Sequence, residues 1–367
     1  MKILGIETSC DETAASVVED GVKILSNVVV SQIDIFAEYG GVIPEVAARS
    51  HLEAMMPVVN KALSDAGCTW GDIDAIAVTH APGLLGSLLI GTLTARTLAI
   101  LHDKPLYAVH HLKSHVYANW LKTEGSQARS SSDTLKAVRP SLRSSKDLSL
   151  AFPQFPVLAL VVSGGHTQIL YMPAHNKFEI VGTTRDDAVG ECFDKVAKIL
   201  GLPYPGGPAI AKAALEGDAN KYKLPHPKID GLDFSFSGLK TAVLRAVQKE
   251  LGLPISHPSH DLKNHLSPEQ VADFAASFQE TAVEILVEKM QKALEQYPDV
   301  KSIVVAGGVS ANKALREALP EAYFPEPKFS GDNGAMVAAA CYFESQSGVK
   351  PVDPYSLNIY PRISIEK

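Results

Sequence analysis

The stretch that decides the fold is FPVLALVVSGGHTQILYM, residues 155–172. An unbroken apolar run leads into a Ser-Gly-Gly turn, and a second apolar run follows the turn directly. Uninterrupted apolar runs are typical of strands that are buried on both faces, as in sheets covered by helices. The stretch therefore predicts two consecutive strands in the interior of an α/β domain.

A comparable pattern opens the chain, in MKILGIETSCDETAASVVEDG, residues 1–21. An apolar strand over Ile3–Ile6 precedes a polar loop over Glu7–Thr13, and a second β-type run lies around Ala15–Val18. This order predicts a hairpin whose turn is rich in hydroxyl and acidic side chains.

Strands alternate with helices further along the chain. Residues 73–100 predict a buried strand (Ala75–Thr79), a Pro-Gly turn and a helix, and KPLYAVHHLKSHVYANWL predicts a strand followed at once by a helix. Ser267, Pro268 and Gln270 have the spacing of a capping box at the start of a long helix. The predicted fold class is α/β, with a mixed sheet in each of two lobes.

The length of 367 residues exceeds what one compact core normally holds. Residues 123–151 are dense in serine, lack apolar periodicity, and contain more basic than acidic side chains. We predict an N-terminal lobe over 1–122, a flexible insert over 123–151 and a C-terminal lobe over 152–367. The last helix of the chain is a candidate to pack back on the N-terminal lobe.

Composition and charge exclude several classes of protein. Hydrophobic residues make up 46% of the chain and charged residues 20%, as in globular proteins. There is no run of 18 apolar residues, and acidic residues follow the N-terminus too closely for a signal peptide. The four cysteines are far apart, which favours reduced thiols. We therefore expect a cytoplasmic protein without membrane contact, and the net charge of −7 disfavours nucleic-acid binding by bulk electrostatics.

Glycine pairs follow two predicted strands, in LVVSGGHT and VVAGGVSAN, and a third pair lies in YPGGP. Without side chains, such turns let backbone N–H groups approach a phosphate closely. The alternative is that each pair only allows a tight turn. Neither a Walker loop nor a dinucleotide-binding glycine fingerprint is present in the sequence.

His111 and His115 are one helical turn apart, so both imidazoles can point the same way. Leu112 stands where a zinc protease would have its catalytic glutamate. Asp332, at a predicted helix start, is a candidate third metal ligand, although an N-cap is the alternative. The turn IETSCDET either faces a nucleotide cleft or is a purely structural hairpin turn.

Taken together, several motifs resemble the bacterial and mitochondrial branch of the TsaD family. They include GIETSCDETAASVV, GGVIPEVAARSHLE, HHLKSH, LVVSGGHTQ, GECFDKVAKILGLPYPGGP, DFSFSGLKTAV, AGGVSAN and DNGAM, in order over nearly the whole chain outside 123–151. The resemblance implies the actin/Hsp70/sugar-kinase fold, with two RNase H-like lobes around a nucleotide cleft. It also implies transfer of a threonylcarbamoyl group from threonylcarbamoyl-AMP to N6 of the adenosine 3′ of the anticodon, in tRNAs that read ANN codons.

The resemblance further implies a set of site residues. His111, His115 and Asp332 would hold one divalent metal ion, iron (Fe²⁺) or zinc. Ser9, Asp11 and Glu12 would line the cleft near the phosphate and the acyl group, and we expect Asp11 or Glu12 to accept the proton of the attacking amine. The adenylate would lie against Val161, Val162, Ser163, Gly164, Gly165, Asp194, Gly207 and Asn312.

Relatives of this type act with a TsaB-like paralogue and a TsaE-like ATPase, or as a homodimer, and either arrangement is open here. A kinase or ATPase of the same fold is an alternative function, and a nucleotide-dependent scaffold is another. The pair of histidines with Asp332 favours the transferase, because a sugar kinase does not need them.

Overall fold

The computed structural model describes residues 1–122 and 152–366. The N-terminal lobe is built on five strands, β1 (Lys2–Glu7), β2 (Glu12–Glu19), β3 (Lys23–Ser31), β4 (Ala75–Ala81) and β5 (Leu106–His110). They lie in the order β3-β2-β1-β4-β5. β2 is antiparallel to both β1 and β3, whereas β4 is parallel to β1 and β5 is parallel to β4.

The C-terminal lobe repeats this arrangement with one strand fewer. Its strands are β6 (Val157–Val162), β7 (Thr167–Ala174), β8 (Lys177–Thr183) and β9 (Ser302–Ala306), in the order β8-β7-β6-β9. An antiparallel meander of three strands again has a parallel strand added beside its first member. The predicted α/β class with a mixed sheet in each lobe is confirmed, and the repeated sheet order agrees with the two-lobed fold that the resemblance of the sequence implies.

Helices cover both sheets. The α-helices are α1 (Ile33–Ala37), α2 (Pro44–Asp65), α3 (Leu85–Leu101), α4 (His111–Tyr117), α5 (Val189–Leu200), α6 (Gly206–Ala213), α7 (Ser237–Glu250), α8 (Pro268–Gln296), α9 (Lys313–Ala318) and α10 (Gly334–Gln346). Short 3₁₀ turns lie at Trp70–Asp72, Ala118–Trp120, Ala214–Glu216, Leu262–Asn264, Gly308–Ala311 and Pro327–Phe329. No helix in the described ranges is both long and apolar enough to cross a bilayer.

Among the described residues, three apolar cores stabilise these layers. One lies between the C-terminal sheet and α5, α7 and α8, and another between the N-terminal sheet and α2 and α3. The third contains residues of both sheets together with α4 and α10, so it joins the lobes. Within it, α10 packs closely on β1: a Cβ atom at Gly5 would collide with the carbonyl oxygen of Gly334.

The parallel strands fix where the functional loops meet. Because β1, β4 and β5 run in the same direction, their carboxyl ends and the segments that follow lie at one edge of the N-terminal sheet. The carboxyl ends of β6 and β9 lie together in the same way in the C-terminal lobe. Ligands of open α/β sheets bind at such edges.

Most of the predicted helices and strands lie where local sequence patterns indicate them. The capping box at Ser267 is present at the start of α8, and Gly201 ends α5 in the left-handed conformation with φ 75°. β2 begins earlier than predicted, at Glu12, because Glu12 and Thr13 pair with Ser31 and Val30 of β3. β3 is not part of the hairpin that the sequence predicts.

The four cysteines are free thiols. Cys192 and Cys341 are buried, whereas Cys10 and Cys68 are partly exposed. The expectation of reduced cysteines is therefore confirmed.

The predicted insert at 123–151 lies outside the described residues, and the three-part division of the chain stays a prediction. Its flanks are next to each other: the Lys122 ammonium nitrogen is 3.9 Å from the centroid of the Phe152 ring. Replacing 123–151 by a Gly-Ser bridge should therefore leave the free energy of unfolding within about 1 kcal/mol of its original value, because loop length has a weak effect on closure entropy. Urea denaturation measures this, and loss of a cooperative transition would contradict it.

Candidate active site

A cleft between the lobes is lined by the loops that follow the parallel strands. The N-terminal lobe contributes the turn after β1, the Pro82–Gly83 turn and the start of α4. The C-terminal lobe contributes the Ser-Gly-Gly turn after β6, the 3₁₀ turn after β9, and the α5–α6 region. Among the lining residues are Ser9, Asp11, Glu12, His111, Ser163, Gly164, Gly165, Asp194, Gly207, Asn312 and Asp332.

Three potential metal ligands converge at this cleft. The Nε2 atom of His115 is 3.0 Å from Oδ1 of Asp332, and the Nε2 atom of His111 is 3.6 Å from the same oxygen. The three ligand atoms lie within 4.8 Å of one another. Asp332 does not cap α10, because the Asn333 side chain accepts the hydrogen bond from the Met336 backbone N–H. The sequence alternative of an N-cap is therefore wrong, and the carboxylate is free to face the histidines.

A fourth buried group orients the first histidine. Glu7, at the end of β1, is fully buried, and its Oε2 atom is 3.1 Å from Nδ1 of His111. The Thr79 hydroxyl donates to the same carboxylate oxygen at 2.6 Å, and Ser9 Oγ lies 3.1 Å from His111 Nδ1. A carboxylate on the second ring nitrogen fixes the tautomer that presents Nε2 to a metal. Glu7 therefore directs Nε2 of His111 toward Asp332.

The electrostatics of the cluster suit a cation. Burial by itself lowers the pKa of His111, but the Asp332 and Glu7 carboxylates outweigh it and raise this pKa to about 9. Burial acts to raise the pKa of Asp332, and the two histidines outweigh it and lower that pKa to about 2. Negative charge thus persists at the centre of the cluster, where protons or a metal ion must balance it.

The residues fit a divalent metal ion. Two imidazole nitrogens and one carboxylate oxygen are a donor set typical of catalytic sites with open coordination positions. His115 itself is 1% exposed, and its Nδ1 atom has no hydrogen-bond partner within the described part of the chain. The Nε2 atom of His115, which faces Asp332, is the atom through which this side chain would bind the ion.

The acidic turn after β1 contacts α2 through the side chain of His51. His51, which is fully buried, lies 2.8 Å from Thr13 Oγ1 through Nδ1 and 2.9 Å from the Cys10 carbonyl through Nε2. Burial, followed by the charges of Asp332 and Asp11, raises the pKa of Glu12 well above its ordinary value. The turn therefore presents two neighbouring carboxyl groups to the cleft, one of which has an unusually high proton affinity.

The Ser-Gly-Gly turn has the openness that a backbone-binding loop requires. A Cβ atom at Gly164 or Gly165 would meet nothing within 4 Å, so packing does not explain either glycine. The second glycine pair is different, since Gly307 has φ 88° and a Cβ there would collide with the Val162 carbonyl. The tight-turn alternative thus holds for Gly307, whereas Gly164, Gly165 and Gly308 leave open space.

Comparison with known proteins identifies the family. The TsaD family model, described as tRNA N6-adenosine threonylcarbamoyltransferase, matches residues 23–129 and 142–339. The chain belongs to the TsaD family. A relative with that name from Symbiobacterium thermophilum is 45% identical over 372 residues, covering 99% of this chain and 96% of the relative. Another from Halalkalibacterium halodurans is 46% identical over 347 residues, covering 92% and 89%.

Solved structures give weaker similarity. The activator of 2-hydroxyisocaproyl-CoA dehydratase from Clostridium difficile, with bound ADPNP, aligns with a TM-score of 0.48 and 14% identity. The alignment covers 96% of this chain and 99% of that one.

Membership in the TsaD family establishes the type of reaction. The enzyme is an acyltransferase that modifies N6 of adenosine in tRNA. This assignment is favoured over the kinase, ATPase and scaffold alternatives, and it confirms the resemblance found in the sequence motifs.

The remaining predicted site residues differ in their burial and hydrogen bonding in this TsaD-family protein. Val161 and Val162 are fully buried in β6 and are not among the residues that line the cleft. Asp194 accepts a hydrogen bond from the Gly206 backbone N–H at 2.7 Å, and burial raises its pKa. Asn312 caps α9 and donates to Gln279 at 2.8 Å. Gly207 borders open space.

Sequence reasoning missed several groups that shape this site. Glu7 is the last residue of an otherwise apolar strand. A carboxylate at such a position indicates a nearby polar or charged partner, because a buried charge normally has one. His51 gave no signal, since it lies in an ordinary amphipathic helix. The C-terminal segment was also missed: Pro361, Arg362 and Ile363 line the cleft, and the Pro361 carbonyl accepts a hydrogen bond from Gly83.

Proposed function

We propose that this cleft moves the threonylcarbamoyl group of threonylcarbamoyl-AMP to N6 of the adenosine directly 3′ of the anticodon, in tRNAs that decode ANN codons. The observation that carries the proposal is that one cleft is lined both by His111 and Asp332, two of the three potential metal ligands, and by the open glycine turn over 163–165. The N6–carbamoyl carbon bond forms and the bond from that carbon to the phosphate oxygen breaks, with AMP as the leaving group.

In this proposal the C-terminal lobe holds the adenylate. Backbone N–H groups of the turn over 163–165 approach the phosphate, which an added Cβ atom would obstruct. Gly207, with open space beside it, and Asp194 lie along the same wall of the cleft, where the adenosine part would bind. Val161 and Val162 take part through the main chain that leads into the turn. Asn312 contributes by fixing the start of α9.

His111, His115 and Asp332 would hold one metal ion, Fe²⁺ or Zn²⁺. Both ions accept imidazole and carboxylate ligands. When bound, the ion supplies positive charge for the phosphate of the departing AMP. Glu7 positions His111 for this role, and Ser9 lies on the same imidazole at the floor of the cleft.

The attacking amine must lose a proton, and the acidic turn provides the acceptor. The exocyclic amine of adenine is a weak nucleophile, so a nearby carboxylate that accepts its proton lowers the barrier. Glu12 is favoured over Asp11, because its raised pKa makes its carboxylate the stronger base.

The glycine turn gives a direct test of adenylate placement. Gly165→Val should weaken binding of a non-hydrolysable threonylcarbamoyl-AMP analogue by roughly tenfold or more, because the side chain would fill the space that the phosphate needs. Isothermal titration measures the affinity. Gly238→Val is the matched control, since Gly238 is also exposed with nothing near its Cβ position but lies on α7 outside the cleft. Equal affinity in both variants would refute this placement.

We also propose that α2 and α3 form a docking face for a second chain of the same fold, either a TsaB-like paralogue or another copy of this chain. Apolar side chains are exposed at one-turn spacing on both helices: Leu52, Met56, Leu85, Leu89 and Leu93. The two helices pack against each other, so their exposed side chains extend over one surface. Exposed apolar patches of this kind typically mark protein interfaces. A TsaE-like ATPase would join the paralogue-containing form, and the assembly would work in the cytoplasm, where its tRNA substrate is found.

A charge placed on this face should separate the partners. Leu89→Glu is expected to abolish co-elution with a TsaB-like paralogue, or to convert a homodimer to monomers, in size-exclusion chromatography with light scattering. Ile255→Glu serves as the control, because Ile255 is 70% exposed on the C-terminal lobe, away from α2 and α3. Unchanged assembly of Leu89→Glu would rule out this face.

A further inference from the structure

A second group of potential metal ligands lies outside the cleft, in the connection between α7 and α8. The Nε2 atom of His257 is 3.0 Å from Oδ2 of Asp261, and the Nε2 atom of His265 is 3.1 Å from the same oxygen. The ligand atoms of these three side chains lie within 4.8 Å of one another. None of the three is among the residues that line the cleft.

The backbone of this connection is anchored on both sides of the group. Leu262, directly after Asp261, is fully buried in the core of the C-terminal lobe. The Gln248 side chain donates to the His257 carbonyl at 3.1 Å, and the His265 backbone N–H donates to the Leu262 carbonyl at 3.0 Å. The backbone that carries the three ligands is therefore fixed before an ion arrives, which lowers the ordering cost of binding.

We propose that His257, Asp261 and His265 form a second binding site for a divalent transition-metal ion. Two imidazoles and a carboxylate are the same donor set that the chain uses at His111, His115 and Asp332. Metal–ligand bonds of about 2.0–2.2 Å in tetrahedral geometry place neighbouring donor atoms about 3.3 Å apart. The observed separations of 3.0 and 3.1 Å need only a small expansion to admit the ion.

The exposure of the group fits a site that fills from solvent. The side chains of His257, Asp261 and His265 are 21%, 39% and 48% exposed, so an ion can enter and water can complete its coordination. Asn264 holds the other carboxylate oxygen, since its Nδ2 donates to Asp261 Oδ1 at 2.9 Å. This hydrogen bond leaves Oδ2 directed at the two imidazoles. Hydrogen bonds to the ligating side chains orient them in the same way in metal sites.

The ion would act as a cross-link within the C-terminal lobe. It would tie the segment after α7 to the 3₁₀ turn over Leu262–Asn264 and to the residues that lead into α8. Because an ion that binds only the folded chain adds stability by mass action, Zn²⁺ should raise the melting temperature beyond the increase due to the cleft site alone.

Zinc stoichiometry of the full chain tests the proposal. Chelator-treated protein is titrated with Zn²⁺ alone and examined by native mass spectrometry and by competition with a chromophoric chelator. The unmodified chain should bind two ions, and His265→Ala and His115→Ala should each bind one. The double variant should bind none. His260→Ala is the control, because His260 is exposed in the same connection but outside the group, and this variant should bind two ions.

Two further measurements separate the new site from the catalytic one. His265→Ala should lose at least about tenfold in Zn²⁺ affinity at this group, and it should keep its melting temperature in the absence of metal, because the side chain is 48% exposed. Asp261→Asn should give the same loss of one ion. Two ions retained in both His265→Ala and Asp261→Asn would overturn the proposal, as would a single ion in the unmodified chain that disappears in His115→Ala.

Discussion

His115→Ala should fold normally, lose the metal ion of the cleft and lower threonylcarbamoyl transfer by roughly 10²-fold or more, as removal of a major transition-state stabiliser typically does. The His115 ring is buried with its Nε2 atom 3.0 Å from Asp332. Without that ring, the cleft retains one imidazole and one carboxylate, too few ligands to hold a divalent ion tightly. Metal analysis, circular dichroism and a tRNA modification assay measure the three effects.

The control for this variant is His102→Ala. His102 stacks on Trp70 with ring centroids 4.0 Å apart, outside the cleft, and its loss should leave transfer and metal content unchanged. The competing explanation is that His115 only packs the interface between the lobes. In that case His115→Ala would be less stable, yet its folded fraction would keep its metal and its full transfer rate.

The second large effect is expected for Glu12→Gln. If Glu12 accepts the proton of the adenine amine, its loss should lower the turnover number by roughly 10²–10⁴-fold, the range found for positioned general bases. The substitution keeps the shape of the side chain, so affinity for the adenylate and metal content should change little. Glu19→Gln, at the other end of β2, is the matched control.

The pH profile gives this prediction a second readout. A general base works in its deprotonated form, so the turnover number rises as pH increases through the pKa of Glu12. Burial and the nearby Asp332 and Asp11 carboxylates raise that pKa, so the rise should occur at higher pH than for an ordinary glutamate. Glu12→Gln should abolish this limb. Near-normal turnover in Glu12→Gln, together with inactive Asp11→Asn, would transfer the role to Asp11.

Much of the fold could be predicted because its signals are local. The apolar run of β6, the capping box at Ser267 and the glycine that ends α5 each act within a few residues of their own position. Such patterns specify strands and helix ends without reference to distant parts of the chain. The start of β2 escaped prediction because it depends on pairing with β3, not on its own composition.

The candidate site was less predictable, because its geometry depends on contacts between distant residues. Whether Asp332 caps a helix or faces His115 is decided by the neighbouring Asn333, which takes the capping position instead. The roles of Glu7 and His51 likewise arise from packing between separate elements. The family motifs indicated His111, His115 and Asp332 together as candidate metal ligands, whereas local spacing alone left the role of each residue ambiguous.

The most direct test of the central claim follows the acyl group itself. Threonylcarbamoyl-AMP labelled in the threonine is given to the metal-loaded full chain with its partner subunits and two tRNA transcripts. One transcript has adenosine directly 3′ of an anticodon that reads an ANN codon, and the other has guanosine there. The account predicts label on N6 of that adenosine, seen by nucleoside mass spectrometry, and none on the guanosine transcript. Release of AMP without label in either tRNA, under metal and partner conditions that preserve the fold, would contradict it.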